Sequence, residues 1–173
     1  MENAKRIYKE ALRMLRLEHR DIKELALSNG IEVTYRDDFK HLLGMYVYAW
    51  RHRMIFLNGR LEEPMQSMVL AHEIGHDRFH RKQAQQSPLK EFTLFDMKDT
   101  TEYEANAFAA HLLLPDEDVM DCLKGGMDMA QTASSLNVNI NMLLIKLAEM
   151  NRLGMDLPLP FEPDGSFFRK IQV

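Results

Sequence analysis

Two histidines four residues apart, with a glutamate directly after the first, restrict this chain more than any other stretch: His72-Glu73-Ile74-Gly75-His76. On a helix, residues four apart lie about 40° apart round the axis and about 6 Å apart along it. Two imidazoles so related can converge on one small cation at about 2.0–2.1 Å each. Glu73 falls between them at the rim of the helical wheel, where it can reach a water beside the cation. Val69, Leu70 and Ile74 cover the side that would face a core. Chance yields such a pentapeptide in on the order of one chain in a few hundred of this length, so the rest of the sequence must corroborate it.

An open catalytic zinc site takes three protein ligands. The helix expected over residues 100–114 offers Glu102 and Glu104. Glu102 and Asn106 share a face, and Glu104 points the other way. Ala105, Phe108, Ala109 and Leu112 form a packing stripe that turns Glu102 towards the buried side, and their alanines permit close approach to the His72 helix. His72, His76 and Glu102 are therefore expected to hold one Zn2+, with Glu73 as the base that activates the attacking water. Asn106, with Asp77 as its rival, is expected to hydrogen-bond an imidazole from outside. The donor that would steady a developing oxyanion stays open among Tyr103, His80 and Tyr46. His80 has drifted about 80° from His72 and reads as a helix-flank histidine rather than a ligand. Arg78, Arg81 and Lys82 read as a solvated helix end.

The surrounding pattern is α+β. Helical periodicity over residues 3–17 and about 22–28 gives way to short apolar runs at 31–35, 43–50 and 54–57, with a hairpin connection at 51–53. Helical patterning returns from about 61 to 81. A long connection over 83–98, with room for a short strand, precedes a helix near 100–114, a short one holding Val119, Met120 and Leu123 that ends at Gly125-Gly126, and two more near 127–136 and 139–152. Tyr46, Tyr48 and Trp50 alternate on an expected edge strand. Such an edge serves sheet packing or accepts a substrate strand, which makes Tyr46 and Tyr48 candidate substrate contacts. The expected organisation is a domain over 1–123, a helical subdomain over 124–155 packed on it, and an extended tail over 156–173.

Composition removes several function classes. Twenty-two basic against 26 acidic residues, a net charge of -4, leave no basic excess for a phosphate backbone. No apolar run approaches the ~20 residues that span a bilayer, and the N-terminus has no apolar signal core. With a single cysteine, Cys122, the chain reads as cytoplasmic. The thirteen methionines read as fillers among packed helices. Residues 130–136 and 140–147 have helix-turn-helix spacing, but the second helix sets only Lys146 and Arg152 against Glu149. That is too little positive field for a recognition helix, so a packing or partner-docking role is expected, without direct nucleic-acid binding.

His-Glu-Ile-Gly-His followed by Glu102-Tyr103-Glu104-Ala105-Asn106-Ala107-Phe108-Ala109-Ala110-His111-Leu112-Leu113-Leu114-Pro115 resembles the ImmA/IrrE family of metallopeptidases. The resemblance extends to Tyr46-Val47-Tyr48 and Ile55-Phe56-Leu57-Asn58 and covers roughly residues 20–155. It implies a zincin-like core: N-terminal helices, a small, mostly antiparallel sheet of about three strands, the helix of the two histidines, a helix bearing the glutamate ligand at Glu102, and C-terminal helices. It also implies a protein substrate, since family members cut or relieve helix-turn-helix repressors of phages, mobile elements and stress responses. The expected function is thus a narrow-specificity zinc endopeptidase acting on such a repressor. The alternatives are a non-catalytic module that binds the repressor, and a DNA-binding regulator using the C-terminal helix pair. One departure is His111, where the family is usually acidic; lying about 180° round the helix from Glu102, it is expected to alter surface rather than metal.

Overall fold

Residues 68–77 are buried on every side, Glu73 and Asp77 included, so their helix has no solvent face to offer, and the fold is built round it. The computed structural model describes residues 2–15, 21–95, 97, 99–157 and 159. The tail expected over 156–173 therefore lies almost wholly outside the described residues, as do residues 16 and 17 of the first expected helix. Among the described residues the order is α1 (Glu2–Leu15), α2 (Ile22–Ser28), β1 (Glu32–Arg36), β2 (Gly44–Ala49), β3 (His52–Asn58), α3 (Glu63–Phe79), α4 (Arg81–Ala84), β4 (Leu89–Glu91), α5 (Thr100–Leu113), α6 (Asp116–Lys124), α7 (Met129–Ser135) and α8 (Ile140–Arg152). The fold is α+β and consistent with a zincin-like domain. None of these helices is long and apolar enough to cross a membrane.

The four strands run in the order β1-β3-β2-β4. β1 is parallel to β3, while β2 is antiparallel to both β3 and β4. The sheet is thus mixed, with one strand more than expected. Trp50 and Arg51 make the β2–β3 turn with φ of 48° and 68°. Two consecutive positive φ values give the twist that matches a two-residue hairpin, one residue earlier than the sequence suggested. β2 is not an edge. Its first half, Gly44 to Tyr46, is covered by β4.

α3 lies between the sheet and α5, touching β2 and β3 on one side and α5 on the other. Pro64 is tolerated because it occupies the first turn, where its missing N–H has no helical partner. The closest approach is at Gly75: a Cβ there would stand 2.9 Å from Ala105 Cα and 3.1 Å from Ala105 O. Both are backbone atoms, which cannot swing aside. Gly75→Ala is therefore expected to force α3 and α5 apart and to destabilise the fold by about 1–3 kcal/mol. It should also loosen metal binding, because the two helices carry different ligands. Urea unfolding and a chelator competition would read the two effects.

α8 packs on α5, and residues 141–150 are all buried. A helix so enclosed is occupied by packing along residues 141–150, in keeping with the packing role expected of it.

His111 is not at the surface, contrary to expectation. It is 2% exposed, and its ring meets that of Tyr8 edge-on at 4.9 Å. Lys146 Nζ donates to His111 Nδ1 at 3.0 Å and also pairs with Asp116, which accepts from the Tyr8 hydroxyl at 2.7 Å. Burial, then the Lys146 charge, push the imidazole down to about 3, with Asp116 opposing. In the unfolded chain it titrates near 6.5. Below that pH the unfolded state takes up a proton that the folded state refuses, so stability present above 6.5 is lost as pH falls towards 3. The cost should reach about 2 kcal/mol by pH 5. Urea unfolding at pH 7 and pH 5 should show that loss in the wild type, and less of it in His111→Gln.

Candidate metal centre

One turn of α3 and the first turn of α5 bring three side chains to a point. His72 Nε2 and His76 Nε2 lie 3.0 Å apart. The Glu102 carboxylate reaches both, with Oε2 at 3.3 Å from His72 Nε2 and Oε1 at 3.7 Å from His76 Nε2. Asp99 caps α5 by accepting from the Glu102 backbone N–H at 2.9 Å, which fixes the turn on which the carboxylate rides. A fourth group joins them: Glu91 Oε2 on β4, at 2.9 Å from His72 Nε2. One ligand atom from each of the four lies within 4.8 Å of all the others. Tetrahedral bonds of about 2.0–2.1 Å place their ligand atoms about 3.3 Å apart, close to the spacings found here.

The outer ring nitrogens determine which lone pairs face inward. His72 Nδ1 lies 2.9 Å from Asn106 Oδ1, an oxygen that can only accept, so Nδ1 carries the proton. His76 Nδ1 lies 3.0 Å from His80 Nδ1, and His80 Nε2 lies 3.1 Å from Glu104 Oε2. The carboxylate accepts from His80 Nε2, which leaves His80 Nδ1 to accept from His76. Both ligand-bearing rings thus direct Nε2 at the common point, the arrangement that outer partners impose at metal sites. Glu104 is held in turn by Asn3 and Arg6 of α1.

The electrostatics favour positive charge at that point. Burial alone lowers the His72 imidazole, but its bonds to Glu102 and Glu91 outweigh burial and hold it up at about 10. Burial and the neighbouring His72 and His80 push His76 well below its ordinary value. Burial raises Glu102, with Glu91 adding to the shift and His72 opposing it. Glu73 is fully buried beside the cluster, and neither of its carboxylate oxygens has a hydrogen-bond partner among the described residues. Burial raises its carboxyl well above the usual range, with His72 opposing and Glu91 and Glu102 adding. A buried carboxylate without a partner is costly, so its place here calls for a cation or a polar guest. Gly44 makes room for it, since a Cβ on Gly44 would stand 2.7 Å from Glu73 Oε1.

The other candidates are placed elsewhere. Tyr46 is fully buried and donates its hydroxyl to Asp77 Oδ1 at 2.8 Å. Asp77 is further tied to Arg81 and lies 3.5 Å from Arg53, so it braces β2 and β3 against α3 rather than an imidazole. The Tyr103 hydroxyl donates to Glu149 Oε1 at 2.9 Å, on the α8 side of α5. His80 is buried with both nitrogens engaged, and is neither a ligand nor a solvated helix flank. Tyr48, half-buried on β2, lies beyond the stretch that β4 covers.

Sequence reasoning missed Glu91, Gly44 and the role of Glu104. The available signal for Glu91 was a lone acidic residue between Leu89 and Phe92 inside a segment read as a connection with room for a short strand. Only its pairing with β2 brings it to the histidines.

The family model described as the IrrE N-terminal-like domain, a peptidase family, matches residues 18–148. An "Uncharacterized immunity region protein 2" of Bacillus phage phi105 is 39% identical over 93 residues, covering 54% of this chain and 58% of the phage protein. The alignment thus spans less than two thirds of that relative's length.

Proposed function

The chain belongs to the peptidase family of IrrE N-terminal-like domains, and on that premise we propose that it is a zinc endopeptidase of narrow specificity acting on a helix-turn-helix repressor. The convergence of His72 Nε2, His76 Nε2 and the Glu102 carboxylate beside the partnerless Glu73 carries this reading. Two imidazoles and a carboxylate in a near-tetrahedral arrangement suit zinc among the available divalent ions. Bound there, zinc would bring the pKa of a water to about 7 and polarise a peptide carbonyl.

The chain's own residues supply the rest. Glu73 takes the proton of the attacking water on a carboxylate oxygen that no other described group engages, and delivers it to the departing amine. Asn106 holds His72, and His80 with Glu104 holds His76, so that neither ring turns as charge develops. Tyr48, half-buried on β2 beyond the stretch paired with β4, is the remaining candidate contact for a substrate strand.

A repressor as target is supported by the likeness to a phage immunity-region protein. The test is to incubate the zinc-loaded protein with a helix-turn-helix repressor encoded beside its gene and to measure fragment masses. Discrete fragments are expected, and none after chelation. A repressor that leaves its DNA while remaining intact would replace this reading with that of a non-catalytic binding module.

A further inference from the structure

Four protein ligands on one zinc make a closed site, whereas a catalytic site keeps one position open. Glu91 supplies a fourth. Its Oε2 lies 2.9 Å from His72 Nε2, nearer than either oxygen of Glu102 to its histidine. The carboxylate is well fixed: its side chain is 8% exposed against 26% for Glu102, and its Oε1 accepts from the Thr93 backbone N–H at 2.9 Å. The strand that carries it is only Leu89–Glu91. That strand runs antiparallel along β2, with Glu91 opposite Gly44, Lys90 opposite Met45 and Leu89 opposite Tyr46. β2 packs on α3 alongside β3, and Gly44 of β2 is the residue that stands over Glu73. A peptide added to β2 by strand pairing would occupy this same slot and bring its carbonyl to the same histidines.

We propose that Glu91 is a displaceable fourth metal ligand and that β4 is an internal stand-in for the substrate strand, so the peptidase is latent until an incoming strand lifts β4 off β2. The proposal rests on the zinc-peptidase reading above. Three residues of pairing and one carboxylate hold the slot, so a longer, better-matched strand can displace them, whereas a short generic peptide cannot. Narrow specificity follows from this competition.

The test uses the full chain loaded with Co2+ in place of zinc, read by visible absorption, and acetohydroxamate as a small exogenous ligand. Wild-type protein should resist acetohydroxamate. Glu91→Gln should take it up at a concentration at least about tenfold lower, and should release its metal to a chelator about 10–100-fold more readily. Glu91→Asp, with its carboxylate drawn back by one methylene, should fall between. Equal spectra, chelator resistance and acetohydroxamate uptake in wild type and Glu91→Gln would overturn the proposal; loss of the ion by Glu102→Ala in the same experiment would leave the peptidase reading standing. A wild type that takes up neither Co2+ nor Zn2+ would overturn both. Should Glu91→Gln fail to fold by circular dichroism, the zinc-loaded wild type decides. Saturating acetohydroxamate should speed amide exchange in residues 89–91, and unchanged exchange there would overturn the proposal.

Discussion

Glu73→Gln is expected to retain the metal and to lose peptide cleavage by about 100- to 10,000-fold, the range that a positioned general base contributes. The substitution keeps the shape of the side chain, which matters where Gly44 and Val69 leave so little space. What it removes is the capacity to take a proton. The ligand set is untouched, because both histidines and Glu102 keep their outer partners. Metal stoichiometry and fragment mass analysis on the same preparation would check the two halves. Cleavage at the wild-type rate by a metal-loaded Glu73→Gln protein would transfer the base role to another group.

The second large effect separates two glutamates one residue either side of Tyr103. Glu102→Ala should sharply lower metal occupancy at concentrations that saturate the wild type, since it removes the one carboxylate that faces both histidines and leaves Glu91 alone beside them. Glu104→Ala should retain the metal with affinity reduced about 10–100-fold, the usual cost of losing an outer partner. Glu104 reaches the site only through His80, so its loss frees His76 to rotate without removing a donor. Chelator competition on the two variants gives the comparison. Tighter binding by Glu102→Ala than by Glu104→Ala would mean that α5 presents the opposite face.

What could be read from the sequence was whatever a single helix decides. The spacing of His72 and His76 is a property of α3 alone, and the phase of Glu102 against the Ala105, Ala109 and Leu112 stripe is a property of α5 alone, so both were legible. So was Asn106, one turn beyond Glu102 on the same face. Residues whose position depends on strand register were not. Tyr46 seemed to offer a hydroxyl to substrate because β2 seemed to be an edge. Once β4 and β3 flank it, that side chain turns inward to Asp77. Glu91 escaped for the same reason, since nothing local pairs residue 91 with residue 44. His80 was read as a helix-flank histidine and His111 as altering surface because a histidine carries no mark of burial, and their partners, Glu104 and Lys146, lie 24 and 35 residues away.

α1 lies outside the stretch matched by the family, which starts at residue 18. Yet its Arg6 and Asn3 hold the Glu104 carboxylate, and Glu10 pairs with Arg78 near the end of α3. The seating of this helix and the grip on the ion are thereby coupled, and such coupling runs equally in both directions. A chelator should make residues 2–15 more susceptible to a protease, and anything that peels them away should loosen the hold on the ion without removing a donor. The amino-terminal helix can thus serve as a handle through which a distant event governs the supply of metal to the histidines.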